Sequence, residues 1–98
     1  MIEGLIYLHH EFIVHRDIKP DNILIIDENG KWRAVIIDFN IAKRIGYQKT
    51  NEFCGTQNYM APEVINNQEY DYSVDSFSLG KTMLKLAYFA LSGIINIY

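Results

Sequence analysis

Residues whose side chains could take part in catalysis or ligand binding are concentrated in the string HRDIKPDN, which runs from His15 to Asn22. Asp17 could accept a hydrogen bond or a proton, Lys19 could place positive charge beside an anion, and Asn22 could offer a hard oxygen ligand to Mg²⁺. A further carboxylate, Asp38, follows a β-branched segment. Because single Asp and Asn residues in loops are usually turn formers, function has to be inferred from the strings that contain them.

Three more strings follow in the same chain. They are Asp38-Phe39-Asn40, the segment Gly55-Thr56 to Tyr59-Met60-Ala61-Pro62-Glu63, and DSFSLG from Asp75 to Gly80. With HRDIKPDN, they resemble the ordered motifs HRDxKPxN, DFG, GTxxYxAPE and DxWSxG of eukaryotic protein kinases. Four ordered matches across residues 15 to 80 are far more specific than one. The resemblance implies an ATP-dependent enzyme that acts on protein substrates.

The resemblance implies a role for each polar residue, because phosphoryl transfer depends mainly on positioning and charge neutralisation. Asp17 would orient the substrate hydroxyl and act as the base, with Lys19 and Asn22 completing the catalytic set. Lys19 would lie near the γ-phosphate. The residues expected to contact the cofactors ATP and Mg²⁺ are Lys19, Asp21, Asn22, Leu24 and Asp38, with Asn22 and Asp38 as magnesium ligands and Leu24 beneath the adenine.

The same resemblance implies supporting roles around the catalytic loop. Asp75 would bond the loop backbone, and His15 would pack near Phe39. Lys19 two residues after Asp17 favours the serine/threonine class over the tyrosine class, and Thr56 favours the same class. In the predicted catalytic loop, Arg16 would receive an activation-loop phosphate. The predicted activation segment runs from Asp38 to Glu63, and its remaining structural residues are Phe39, Glu52, Thr56 and Glu63.

Glu52 stands where the resemblance places a regulatory phosphosite. We hypothesise that Glu52 pairs with Arg16 and reproduces part of the ordering effect of a phosphate, with about one negative charge instead of nearly two. Thr50 and Tyr47 remain alternative phosphosites.

The elements that must position these residues can be predicted from local patterns. Residues 2–10 have the apolar spacing of a partly buried helix, and residues 22–26 and 32–37 form two strand signals joined through Asn29-Gly30. A long loop is expected over residues 38–73, apart from a short stretch at residues 61–65 whose Pro62 suits a first helical turn. A helix with a broad apolar surface is expected over residues 74–91, and it should be largely buried. The predicted fold is α+β: a kinase-like C-terminal lobe fragment over residues 1–98, mainly helical, with a small catalytic hairpin and a long activation segment.

Two departures from the family pattern affect what the chain is expected to do. Asn40 replaces the glycine of DFG, and Asn is among the non-glycine residues that best tolerate left-handed geometry. No glycine-rich phosphate loop, β3 lysine or helix-C glutamate precedes Met1, so the N-terminal lobe is expected to be absent. The sequence ends within a few residues of Leu91, so the late C-terminal helices are expected to be absent as well. The isolated fragment is therefore expected to be inactive, with an apolar surface that a partner would cover.

Composition excludes several classes of function. A net charge of -3 provides no basic footprint for nucleic acid or an anionic membrane, and Cys54 alone cannot form an intrachain disulfide. The longest apolar stretch, residues 86–98, is too short to span a bilayer, so a cytoplasmic, intracellular location is expected. Two alternatives to an active kinase stay open: a truncated pseudokinase that binds a protein partner, and a truncated product with no stable role.

Overall fold

The computed structural model describes residues 2–93 of the 98-residue chain. Its three α-helices are α1 (Ile2–His10), α2 (Pro62–Ile65) and α3 (Ser73–Leu91), and its four strands are β1 (Ile13–Val14), β2 (Ile23–Glu28), β3 (Lys31–Ile36) and β4 (Lys43–Arg44). Two short 3₁₀ helices cover Pro20–Asn22 and Gln57–Tyr59. The mixed α and β content agrees with the predicted class.

Strands β2 and β3 form the predicted hairpin. They pair antiparallel from Ile23 opposite Ile36 to Glu28 opposite Lys31. The two-residue turn has φ of 55° at Asn29 and 80° at Gly30, which are the positive values that a type I′ turn requires. Both strands therefore reach the turn. β2 ends at Glu28, two residues later than predicted, and β3 begins at Lys31, one residue earlier than predicted.

A second sheet, β1 with β4, was not predicted. Ile13 pairs with Arg44 and Val14 with Lys43, in antiparallel register. Strands of two residues are too short to leave a periodic pattern in the sequence. This small sheet fixes the start of the predicted activation segment beside the segment that leads into the catalytic loop.

Helix α3 joins two apolar clusters. Its residue Val74 packs in the cluster of Val14, Ile45, Met60, Ala61, Val64 and Tyr70, and its residue Leu79 packs in the cluster of Leu5, Leu8, Ile18 and Ile36. The second half of the helix differs, since Leu84 and Tyr88 are 70% and 61% exposed. The prediction of a largely buried helix is thus correct only for the first half, and the predicted apolar surface is present on the second.

Across residues 2–93, no helix combines the length and apolar character needed to cross a membrane.

Candidate active site

The backbone of the HRD segment is anchored by a buried carboxylate from α3. Asp75 is fully buried, and its two oxygens accept hydrogen bonds from the amides of His15 and Arg16, each at 2.8 Å. Arg16 has φ of 74°, a left-handed conformation that is costly for a side chain with a Cβ and persists only when its surroundings enforce it. The two bonds from Asp75 provide that enforcement, so the predicted contact with the loop backbone is present.

His9 is a member of this site that sequence reasoning missed. Its Nε2 lies 2.9 Å from Oδ2 of Asp75, and its ring centroid lies 5.0 Å from that of Tyr72. His9 occupies the last turn of α1. The contact joins residues 66 positions apart, and no local pattern encodes such a pairing.

A threonine from the predicted activation segment bridges the two charged residues of the predicted catalytic loop. The Thr56 hydroxyl donates to Oδ1 of Asp17 at 2.7 Å and accepts from Nζ of Lys19 at 2.9 Å. Lys19 Nζ also lies 3.9 Å from Oδ2 of Asp17. One hydroxyl can donate once and accept twice, so Thr56 satisfies both partners and keeps the acidic and basic groups in a defined relation.

Asn22 completes this cluster from the 3₁₀ helix. Its side-chain nitrogen donates to the backbone oxygen of Asp17 at 2.8 Å and to Oδ2 of Asp17 at 3.2 Å. Both bonds use the side-chain nitrogen, which leaves the side-chain carbonyl oxygen of Asn22 for a cation. The backbone oxygen of Asn22 accepts from Ile37 at 2.9 Å, and this bond brings the residue before Asp38 alongside Asn22.

Asp38 is exposed and has φ of 63°, and its Oδ1 accepts the amide of Asn40 at 3.2 Å. Asn40 itself is not among the residues with positive φ. Asn40 therefore does not use the left-handed conformation that the glycine of the resembled motif would permit. The carbonyl oxygen of Asn22 and the carboxylate of Asp38 are hard oxygen donors, and this donor set fits Mg²⁺.

His15 has the structural position that we predicted. Its side chain is fully buried, and its ring packs edge-on against Phe39 with centroids 5.2 Å apart. Nε2 lies 3.0 Å from the backbone oxygen of Ile37, while Nδ1 accepts from the amide of Asp17 at 3.1 Å. These two bonds place the proton on Nε2 and tie the ring to both catalytic segments.

Glu52 lies between two cations. Its Oε1 accepts from Nη1 of Arg16 at 3.2 Å and also from Nζ of Lys43 on β4. Hydrogen bonds from Lys43 and then Arg16 hold the pKa of the Glu52 carboxyl below its usual value. The Tyr70 hydroxyl donates to the backbone oxygen of Glu52 at 2.7 Å. The pairing with Arg16 that we hypothesised is therefore present, with Lys43 as an additional partner.

The remaining predicted residues lie outside the hydrogen-bonded cluster around Asp17. Asp21 is exposed in the 3₁₀ helix, and Leu24 is 50% exposed on β2. Glu63 is in the first turn of α2, and Cys54 Sγ lies 3.7 Å from the Tyr70 hydroxyl. Within the part of the chain that the structure describes, no group of three or more His, Cys, Asp or Glu side chains is arranged to hold a metal ion.

Comparison with known proteins finds similarity to protein kinases. The chain is 49% identical over 85 residues to cGMP-dependent protein kinase 2 of Homo sapiens, which covers 86% of the chain and 11% of that protein. It is 41% identical over 86 residues to rhodopsin kinase GRK1 of Rattus norvegicus, covering 88% of the chain and 15% of that protein. The chain thus spans less than a sixth of the length of these relatives.

The family model described as the protein kinase domain matches residues 1–91. This match covers all four motifs and every residue of the cluster around Asp17. The chain belongs to the protein kinase domain family.

Proposed function

We propose that the protein transfers the γ-phosphate of ATP to a serine or threonine hydroxyl of a protein substrate. The observation that carries this proposal is the Asp17 carboxylate, which is held by the Thr56 hydroxyl and the Asn22 amide with the Lys19 ammonium 3.9 Å away. A positioned carboxylate beside a positioned cation is the arrangement that phosphoryl transfer needs, because the catalyst mainly orients reactants and neutralises charge.

In this proposal Asp17 accepts the hydrogen bond of the substrate hydroxyl and directs its oxygen at the γ-phosphorus. Lys19 faces the charge that develops on the transferring group, where a fixed cation contributes most. Asn22 and Asp38 would hold Mg²⁺, which when bound neutralises charge on the ATP phosphates. Asp75 keeps the loop in shape throughout, since it bonds the backbone amides that precede Asp17.

Preference for serine and threonine is supported by the position of Thr56. Its hydroxyl contacts both Asp17 and Lys19, so the activation segment approaches the acceptor site closely. A serine or threonine hydroxyl is close to its own backbone, so it suits an acceptor site beside which the polypeptide passes closely, whereas a tyrosine hydroxyl lies farther from its backbone.

The test is a phosphotransfer assay with the purified full-length protein, radiolabelled ATP and peptides that differ only in a serine, threonine or tyrosine acceptor. We expect label on the serine and threonine peptides, dependent on Mg²⁺ and abolished by a chelator. Equal labelling of tyrosine would contradict the assignment of class. Absence of labelling from every acceptor, with ATP bound normally, would contradict the proposed activity.

A second candidate function is a protein-binding module without catalysis. The observation in its favour is the exposed apolar surface on the second half of α3, where Leu84 and Tyr88 face away from both core clusters. Surfaces of this kind often mark interaction sites. The two candidates are separated by the same assay, because a binding module would form complexes without transferring label.

A further inference from the structure

A cavity of about 420 Å³ lies beside the candidate active site, between the Gln57–Tyr59 3₁₀ helix and the middle of α3. The two walls are joined by a hydrogen bond of 2.6 Å from the Ser78 hydroxyl to the backbone oxygen of Tyr59. The residues that line the cavity are Asn58, Tyr59, Lys81, Leu84, Lys85 and Tyr88. Its polar groups are thus two ammonium groups, two phenols and one amide.

The residues that line this cavity include two lysines and no carboxylate to balance their positive charge. Lys81 and Lys85 are one helical turn apart, a spacing that places both on one face of α3 and makes them repel each other. Both are exposed, and in residues 2–93 neither forms an ion pair with a carboxylate. Lys85 Nζ instead lies over the rings of Tyr88 and Phe89, at 6.0 and 5.1 Å from their centroids. The cavity is therefore complementary to an anionic group.

The cavity and the proposed acceptor site share Tyr59 as a lining residue. This residue also lines a second, small cavity together with Asp17, Thr56 and Ser78. A peptide whose hydroxyl lies at Asp17 can therefore run past Thr56 and Tyr59 and bring a neighbouring side chain to Lys81 and Lys85. Thr56 and Tyr59 are only three positions apart in the chain, so we expect the side chain to be a few positions from the acceptor.

We propose that this cavity is a substrate subsite that binds an acidic side chain, a carboxylate or a phosphorylated hydroxyl, close to the phosphoacceptor residue. The inference rests on the proposed function and extends it by naming the class of protein substrate. Lys81 and Lys85 supply the charge that selects the acidic group, while the phenols of Tyr59 and Tyr88 and the amide of Asn58 offer hydrogen-bond donors. The enzyme accordingly prefers acidic segments and discriminates against basic ones.

The test compares the full-length wild type with the double variant Lys81→Glu, Lys85→Glu. A matched control, Lys31→Glu with Lys49→Glu, changes the net charge equally at two exposed lysines that do not line the cavity. Serine peptides with acidic, phosphorylated, neutral or basic flanking residues are used in two measurements. The first is kcat/KM for phosphorylation, and the second is peptide affinity from fluorescence anisotropy, which requires no turnover.

For the wild type we expect acidic and phosphorylated peptides to bind about tenfold more tightly than neutral ones, as two partly exposed charge contacts allow. The double variant should lose this preference and favour the basic peptide, with the neutral peptide unaffected, while the control keeps the wild-type order. Comparison of the acidic and phosphorylated peptides shows which anion the subsite prefers.

An unchanged preference in the double variant, or a wild type that binds a neutral apolar peptide as tightly as an acidic one, would overturn the subsite. The affinity measurement separates this failure from failure of the proposed function. Lysine-dependent binding of the acidic peptide without phosphotransfer to any peptide would support the subsite and refute the kinase activity.

Discussion

Thr56 links two segments that are distant in sequence, since a single hydroxyl contacts both Asp17 and Lys19. A hydrogen bond to a charged group contributes about 1.5–3 kcal/mol, so its loss should disturb the acceptor site measurably. We expect Thr56→Ala to lower kcat by about tenfold or more. Thr56→Ser keeps the hydroxyl and is the matched control. Equal activity of the Ala and Ser variants in a steady-state assay would argue against a positioning role for this hydroxyl.

Glu52 offers a second test at the level of single residues. Its carboxylate accepts from Arg16 and Lys43, so replacement by lysine puts three cations together and should release the activation segment. We expect Glu52→Lys to lower peptide phosphorylation severalfold in the full-length protein, and Glu52→Gln to have a smaller effect. Unchanged activity of Glu52→Lys would count against the phosphate-like role.

The pH dependence of this contact follows from the direction of the shift. The pKa of Glu52 is lowered, so the contact is fully formed above the ordinary pKa of a glutamate and is lost as pH falls through the lowered value. The difference in the rate of peptide phosphorylation between wild type and Glu52→Gln should therefore be constant near neutral pH and disappear only at acidic pH. A difference that vanished near pH 7 would exclude the carboxylate as its cause.

Among the secondary-structure elements, α3 anchors the predicted catalytic loop through the side chain of Asp75. In Asp75→Asn, an amide group replaces one of the two oxygens that accept the His15 and Arg16 amides. A buried donor then faces a donor, which costs about 1–3 kcal/mol. We expect faster hydrogen exchange in a peptide covering residues 13–19, with the β2–β3 hairpin unchanged as an internal control. Wild-type exchange in residues 13–19 would show that the loop keeps its shape without Asp75.

The elements that sequence reasoning predicted correctly are those with strong local signals. The Asn29-Gly30 turn specifies the hairpin register because both residues accept positive φ, and the apolar pattern of α3 is long enough to define a helix. The β1–β4 sheet could not be predicted. Its two-residue strands are held by pairing between segments about thirty positions apart, and such pairing depends on the tertiary structure.

The candidate site shows the same difference between features with a local sequence signal and features that depend on tertiary contacts. Asp17, Lys19 and Asn22 could be identified from one string, but the contact of His9 with Asp75 could not, because it depends on how α1 packs on α3. Within the string from Asp38 to Asn40, the residue with positive φ is Asp38 and not Asn40, which the sequence could not show. Sequence motifs therefore indicated which residues to propose as the reacting groups, whereas the contacts that orient them required the structure.

The molecule as a whole depends on α3 to unite its two apolar clusters. Ile18 is fully buried in the cluster that contains Leu79, directly beside the catalytic residues in sequence. We expect Ile18→Ala to lower the free energy of unfolding by about 2–5 kcal/mol, through lost burial and the cavity that remains. Ile25→Ala is the matched control because Ile25 is 59% exposed. Urea denaturation of the full-length variants measures both, and equal losses would contradict this description of the core.

The central claim is that this family member catalyses phosphoryl transfer with Asp17 as the residue that orients the substrate hydroxyl. The most direct measurement is kcat for serine-peptide phosphorylation by full-length Asp17→Asn, together with the Kd for ATP in the presence of Mg²⁺. We predict a fall in kcat of about 10³-fold, within the usual range for loss of a general base, and an ATP affinity close to that of the wild type. A variant with wild-type kcat would contradict the claim.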